Sequence, residues 1–166
     1  MEQRSQFAFL LPKERRVKQF QEPLDQVEGK MGYPRILLAD DLPEIRERVA
    51  ELLRPDFDIV AIAQNGREAV ESAATLNPDL IVLDISMPIL NGIEVASRLR
   101  DLGCRAKVIF LTVHEDPDYV EAALSVGALG YVFKSRVATD LVPAVRSVLQ
   151  GHRFMSVEGA PKVLSC

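Results

Sequence analysis

Five short, almost uninterrupted apolar runs mark the chain from Arg35 onward: Ile36–Ala39, Phe57–Ala63, Leu80–Leu83, Val108–Leu111 and Tyr131–Phe133. Runs of this length without polar alternation predict strands covered on both faces, as in a parallel sheet. Between them, apolar residues recur at helical spacing: Ile45, Val49 and Leu52; Val70, Ala73 and Ala74; Ile93, Ala96 and Leu99; Val120, Ala123 and Leu124; Val145, Val148 and Leu149. Each stripe gives its helix one face for a sheet. Strand and helix patterns alternating in this way predict an α/β domain of parallel strands joined by crossover helices. Asn77-Pro78 should end the second helix, because the residue before proline is pushed out of the helical region, and Asn91-Gly92 should turn the chain into the third. Pro143 lacks an N–H and fits best in a first turn, which predicts that the fifth helix starts near Thr139 to Leu141.

The pattern begins only after residue 33. Residues 1–33 hold mixed charges and no sustained period, and are expected to be a flexible N-terminal extension; residues 34–151 are the predicted domain and 152–166 a C-terminal tail. The basic cluster Lys13, Arg15, Arg16 and Lys18 reads as a solvated helix face or disorder, with a binding patch as the alternative. Met31, just ahead of the domain, could itself be a translation start.

Composition narrows the function. A chain of 166 residues has room for one ordinary domain and no second full one. A net charge of −4 lacks the Lys and Arg excess that would neutralise a phosphate backbone, so no direct DNA binding is expected. Cys104 and Cys166 are too few for a disulfide framework or a clustered metal site and suit a reducing compartment. Phe7–Leu11 is too short for a secretory core and no run approaches membrane-spanning length, so the expected location is cytoplasmic, without membrane association.

Candidate chemistry sits at the strand ends. In a parallel sheet all strands end on one edge, and ligands bind in the crevice beyond it. The first strand ends in Asp40-Asp41, the third in Asp84, the fourth in Thr112 and the fifth in Lys134. Carboxylates converging there repel one another unless a cation or lysine offsets them. Oxygen ligands select a hard ion, and magnesium, which binds through one or two carboxylates and completes its shell with water and phosphate oxygens, fits best. Taken singly, each residue has a plainer reading: Asp40 or Asp41 as a cap for a helix starting near Glu44, Asp84 as a polar residue where a strand surfaces, Thr112 as a β-branched strand end, Lys134 as an exposed lysine. Their conjunction at four strand ends favours phosphoryl chemistry.

The run Ile36-Leu37-Leu38-Ala39-Asp40-Asp41, then Leu83-Asp84-Ile85-Ser86-Met87-Pro88 with Asn91-Gly92, then Leu111-Thr112, then Gly130-Tyr131-Val132-Phe133-Lys134, resembles the response-regulator receiver family from about Tyr33 to Gly151. The resemblance implies a flavodoxin-like five-stranded parallel sheet, order 2-1-3-4-5, with helices on both faces. It implies that Asp84 accepts a phosphoryl group from a sensor histidine kinase or a histidine phosphotransfer protein. Asp41 would bind magnesium directly and Asp40 directly or through water, with Asp84 and the Ser86 backbone carbonyl completing the protein ligands. Lys134 and the Thr112 hydroxyl would contact phosphoryl oxygens, and Tyr131 would be a switch aromatic that turns inward after phosphorylation, with a packed aromatic as the plainer reading. Such a protein is a phosphoacceptor and not an enzyme. Ser135 replaces the proline that often follows the lysine, so a trans bond is expected there, as in the NarL/FixJ branch. The segment Gln150-Gly151-His152-Arg153-Phe154-Met155-Ser156 resembles that branch's linker into a helix-turn-helix domain, which leaves either a stand-alone receiver or a truncated regulator.

Two other functions remain open on sequence alone. One is a magnesium-dependent phosphatase with an aspartyl nucleophile, although Asp40 and Asp41 are adjacent and not spaced by one residue as in those enzymes. The other is an inactive receiver kept as a binding module. Phosphorylation-dependent homodimerisation is expected to use the fourth helix, fifth strand and fifth helix, where Asp116, Asp118, Glu121, Arg136 and Arg146 offer both signs of charge.

Overall fold

The strand runs become β1 (Arg35–Ala39), β2 (Asp58–Ala63), β3 (Leu80–Leu83), β4 (Lys107–Thr112) and β5 (Gly130–Phe133), with α1 (Pro43–Leu53), α2 (Gly66–Leu76), α3 (Gly92–Asp101), α4 (Pro117–Ser125) and α5 (Val137–Leu149) in between. They are seen in a computed structural model that describes residues 32–156 and 162–164. The basic cluster Lys13, Arg15, Arg16 and Lys18, together with Phe7–Leu11, Met31 and Cys166, lies outside the described residues. The chain divides into two units, Met1–Tyr33 and Pro34–Cys166, and the second carries the sheet.

The order β2-β1-β3-β4-β5 is parallel throughout, as the resemblance implies. Two further strands extend it past β5: β6 (Arg153–Met155) pairs parallel with β5, and β7 (Lys162–Leu164) pairs antiparallel with β6. Both fall in the segment read from sequence as a C-terminal tail. Alternate residues of the strands serve two cores. Leu37, Ile81, Leu83 and Phe110 pack toward Ala69, Ala73, Val95, Leu99 and Ala123 of α2, α3 and α4. Ile36, Leu38, Val82, Ile109 and Val132 pack toward Val49, Leu53, Leu141, Val145 and Val148 of α1 and α5. Continuous apolar runs in the sequence are therefore strands buried on both sides.

Two details differ from the sequence expectation. Ala74 and Leu124 face outward, because α2 buries Gly66, Ala69 and Ala73, and α4 buries Ala123 alone. The fifth helix starts at Val137, so Pro143 lies inside it and not in its first turn. The reason is the 3-10 turn Lys134–Arg136, which leads straight into the helix; the carbonyl that Pro143 cannot serve belongs to exposed Thr139, where water can reach it. The expected trans bond at Lys134-Ser135 is present, no cis peptide occurring among the described residues.

One glycine fixes the distance between β3 and α3. A Cβ on Gly92 would run into the Asp84 carbonyl oxygen. The Gly92 N–H also donates to the Ile85 carbonyl at 2.7 Å, which folds the loop after Asp84 back onto α3. Gly92→Ala should therefore force backbone apart directly behind Asp84 and destabilise the protein by about 1–3 kcal/mol, as overpacking does; urea unfolding would measure this.

Candidate functional site

The C-terminal ends of β1 and β3 bring Asp40, Asp41 and Asp84 together, with one carboxylate oxygen from each lying within 4.8 Å of the others. Asp40 and Asp84 are 1% and 3% exposed, while Asp41 reaches solvent. Asp40 Oδ1 accepts the Leu42 N–H at 2.9 Å, and Leu42, which cannot cap with its side chain, precedes α1. Capping of α1 by Asp41 is therefore not what the structure contains.

Lys134 follows β5 directly and reaches back under the cluster. Its Nζ lies 2.8 Å from Asp40 Oδ2 and 3.3 Å from Asp84 Oδ2, with the side chain 8% exposed. It is not a surface lysine. The approach to Asp40 Oδ2 is close, but that oxygen has no hydrogen bond of good geometry, so Coulomb attraction holds the pair and the buried oxygen keeps acceptor capacity. Burial, then the neighbouring Asp40 charge, push the Asp84 carboxyl up to about 6, against the opposing pull of Lys134 and of the Ser86 N–H, which donates to Asp84 Oδ1 at 3.3 Å. The Asp84 carboxyl therefore gives up its proton less readily than an ordinary aspartate, chiefly because it is buried.

Thr112 and Tyr131 are tied to the site through a residue that sequence reasoning missed, His114. The His114 N–H donates to Thr112 Oγ1 at 3.1 Å, which leaves the Thr112 hydroxyl proton free for another acceptor. The Tyr131 hydroxyl donates to the His114 carbonyl at 2.8 Å. The imidazole Nε2 meets Ser86 Oγ at 2.7 Å, and the ring stacks on Tyr119 with centroids 4.0 Å apart. One residue thus joins the loop after Asp84, the end of β4, the β5 aromatic and the first turn of α4. No periodicity marks it; the available signal is a histidine two places beyond a strand-end threonine. Replacing it with alanine should cost about 1–2 kcal/mol from the lost hydrogen bond and stacking, measurable by denaturant titration, and should release Ser86 and Tyr119 together.

Tyr131 is 1% exposed, packs edge-on to Phe133 and already lies inward in this structure. Burial, then Tyr119 and Asp116 nearby, push its hydroxyl up to about 12, so it stays a donor. Two of the charges expected to serve a dimer face are engaged within the chain: Arg146 pairs with Asp56 at 2.6 Å and lies over the Phe57 ring, and Arg136 pairs with Asp140 at 2.8 Å. Asp116 is spent on α4, accepting the Asp118 N–H at 2.9 Å.

Comparison with known proteins is consistent with this geometry. Residues 36–146 match the response regulator receiver domain family. The nitrate/nitrite response regulator protein NarL of Escherichia coli K12 is 37% identical over 123 residues, which covers 73% of this chain and 57% of that protein. The transcriptional regulatory protein DegU of Brevibacillus brevis is 38% identical over 122 residues, covering 72% of this chain and 52% of its own length. The chain thus matches little more than half the length of these curated relatives. Among solved structures, a LuxR-family two-component response regulator from Aurantimonas sp. SI85-9A1 superposes with a TM-score of 0.71 at 32% identity, covering 76% of this chain and 91% of that one. A LuxR-family DNA-binding response regulator from Staphylococcus aureus gives 0.67 at 31% identity, covering 70% and 98%.

Proposed function

Since this chain belongs to the response-regulator receiver family, we propose that Asp84 is its phosphoacceptor and that the chain is a module of a two-component phosphorelay. The observation that carries the reading is a buried Asp84 within reach of Lys134 and of two further carboxylates. An Asp84 oxygen attacks the phosphorus of a phosphohistidine; the O–P bond forms, the P–N bond breaks, and its electron pair leaves on the imidazole. Such a transfer asks for alignment and charge neutralisation more than for acid or base catalysis. Lys134 moves from the carboxylates to the phosphoryl oxygens, and Thr112 donates its free hydroxyl proton to one of them.

The donor set fits magnesium. Asp40 Oδ2 is a buried oxygen with unused acceptor capacity, and all the oxygens on offer are hard ligands. Asp41 would hold the ion directly, Asp40 directly or through water, with Asp84 and the Ser86 carbonyl beside them. Magnesium bound there would neutralise the carboxylates and the incoming phosphoryl oxygens.

The donor is a sensor histidine kinase or a histidine phosphotransfer protein, on the cytoplasmic side. A protein donor suits the rim, where Leu42, Ile89 and Val113, from three loops around the carboxylates, are 46%, 58% and 66% exposed. No helix among the described residues is long and apolar enough to cross a membrane. The chain acts as acceptor and switch rather than enzyme, and with a net charge of −4 its output is protein contact and not direct DNA reading. A homodimer formed by charge pairing would first have to release Arg136 and Arg146 from Asp140 and Asp56.

Incubation with magnesium and a small phosphodonor, followed by mapping of the modified peptide, tests the assignment. Phosphate on any residue but Asp84 refutes it. Asp41→Ala should weaken magnesium binding by about tenfold or more and slow labelling in proportion; unchanged affinity on titration would move the ligand role to Asp40.

A further inference from the structure

Asp140 is a fully buried carboxylate, 0% exposed, for which the phosphorylation site has no use. It sits in the first turn of α5 and accepts four hydrogen bonds: from Arg136 Nε and Nη2 at 2.8 and 3.1 Å, from Thr139 Oγ1 at 2.8 Å, and from Ser156 Oγ at 2.5 Å. Burial alone would raise its pKa, but the donated hydrogen bonds and the Arg136 charge outweigh burial and hold it below the ordinary carboxylate value. A buried charge this fully satisfied fixes whatever donates to it.

What donates comes from two directions. Arg136 ends the 3-10 turn that Lys134 begins, so the guanidinium bound to Asp140 and the ammonium bound to Asp40 and Asp84 stand on the same three residues. Ser156 follows β6. Its N–H donates to the Tyr131 carbonyl at 2.8 Å, and its Oγ accepts the Phe133 N–H at 3.4 Å, which seats the end of β6 against β5. The path by which the chain leaves the receiver core therefore passes through a hydroxyl held by Asp140.

We propose that Asp140 is a positioning residue that couples Lys134 to the C-terminal strand, through Arg136 on one side and Ser156 on the other, so that a phosphoryl group on Asp84 loosens β6. The proposal rests on the reading of Asp84 as phosphoacceptor. Phosphoryl oxygens beyond Asp84 draw Lys134 off Asp40, and the turn moves with it. A two-pronged guanidinium pair tolerates little displacement, so the Arg136 contact weakens and Asp140 shifts its hold on Ser156. Coupling of this kind is reciprocal: releasing Ser156 must make the phosphorylated arrangement easier to reach.

The test is hydrogen exchange on the full chain at the Phe154 and Ser156 amides, which donate to the Leu129 and Tyr131 carbonyls, with beryllofluoride and magnesium or with chelator. Bound beryllofluoride is followed independently by its fluorine resonance. Exchange at these two amides should rise about fivefold or more on binding, the low end of typical allosteric coupling, while β3 and β4 stay protected. Ser156→Ala should exchange fast in both states and bind beryllofluoride several-fold tighter, and Ser156→Thr, which keeps the hydroxyl, should restore both properties. Arg136→Lys keeps the charge but loses the fork, and should give an intermediate result without touching β6. Fluorine signal without faster exchange overturns the proposal. So does Ser156→Ala with fast exchange but unchanged beryllofluoride affinity, which is what a merely structural serine would give. Absence of any bound fluorine signal would instead refute the reading of Asp84, and the coupling would fall with it.

Discussion

Asp84→Asn should abolish phosphoryl labelling and, in chelator, raise the melting temperature. Loss of labelling follows from chemistry, since the amide has nearly the shape of the carboxylate but is a poor nucleophile. The gain in stability follows from linkage. The folded Asp84 carboxyl titrates at about 6 against an ordinary 3.8, because of burial and the adjacent Asp40 charge. Between those values the folded protein holds a proton that the unfolded chain has released, so metal-free stability falls as pH rises from about 4 to about 6 and stays reduced above that. The shift corresponds to about 3 kcal/mol, and after discounting for solvent screening the ionised carboxylate costs on the order of 2 kcal/mol, about 5 °C in a domain of this size. The amide of the variant does not titrate. The difference in melting temperature between variant and wild type should therefore be small at about pH 4 and reach its full size above about pH 6.5. Magnesium should narrow the gap by stabilising the wild type more. A pH-independent difference would show that packing, and not charge, distinguishes the two.

The residues of the site were legible because a parallel sheet leaves little choice about where strand ends go. Once Ile36–Ala39, Leu80–Leu83 and Tyr131–Phe133 read as buried strands, Asp40, Asp41, Asp84 and Lys134 had to share one edge, and the structure brings all four together. What escaped depends on contacts between loops, for which sequence has no period. His114 joins four segments through one backbone amide, one carbonyl and one ring, and its one sequence signal, standing two places beyond the strand-end Thr112, says nothing of those contacts. Strand β6 has only three residues, its middle one Phe154 turned into the core, and Ser156 just after it is held by Asp140 on a helix sixteen residues earlier. Tyr131, expected to turn inward only after phosphorylation, already lies inward with its hydroxyl on the His114 carbonyl, a contact between a strand and a loop that no sequence pattern announces. The Pro143 expectation failed because helix propensity is a local preference, and the burial of Leu141, Ala144, Val145 and Val148 by α5 outweighs one missing hydrogen bond on its exposed side.

The largest loss of stability should come from Lys134→Met, which keeps the length and apolar stem of the side chain and removes its charge. Lys134 is the cation that the structure places against both buried carboxylates, at 2.8 Å from Asp40 and 3.3 Å from Asp84. Removing one partner of a buried ion pair leaves charge uncompensated and typically costs about 3–5 kcal/mol. This site has an escape, because the Asp84 carboxyl is already pushed up to about 6 and one of the forces opposing that rise is Lys134 itself. Without the lysine, Asp84 should take up a proton at higher pH than in the wild type. The loss should accordingly be greatest at about pH 8, where protonation is hardest, and shrink toward about pH 5. Magnesium should recover part of it, since the two positive charges answer the same need, and its stabilisation of the variant should exceed that of the wild type. On the proposed role of Lys134, phosphoryl labelling should nonetheless stay low with magnesium present, because the ion does not replace an ammonium positioned for the phosphoryl oxygens. Denaturant titrations at the two pH values, with and without magnesium, measure every part of this. A variant as stable as the wild type at about pH 8 in chelator would mean that Asp40 and Asp84 do not carry their charges in the folded protein, and the electrostatic account of the site would have to be abandoned.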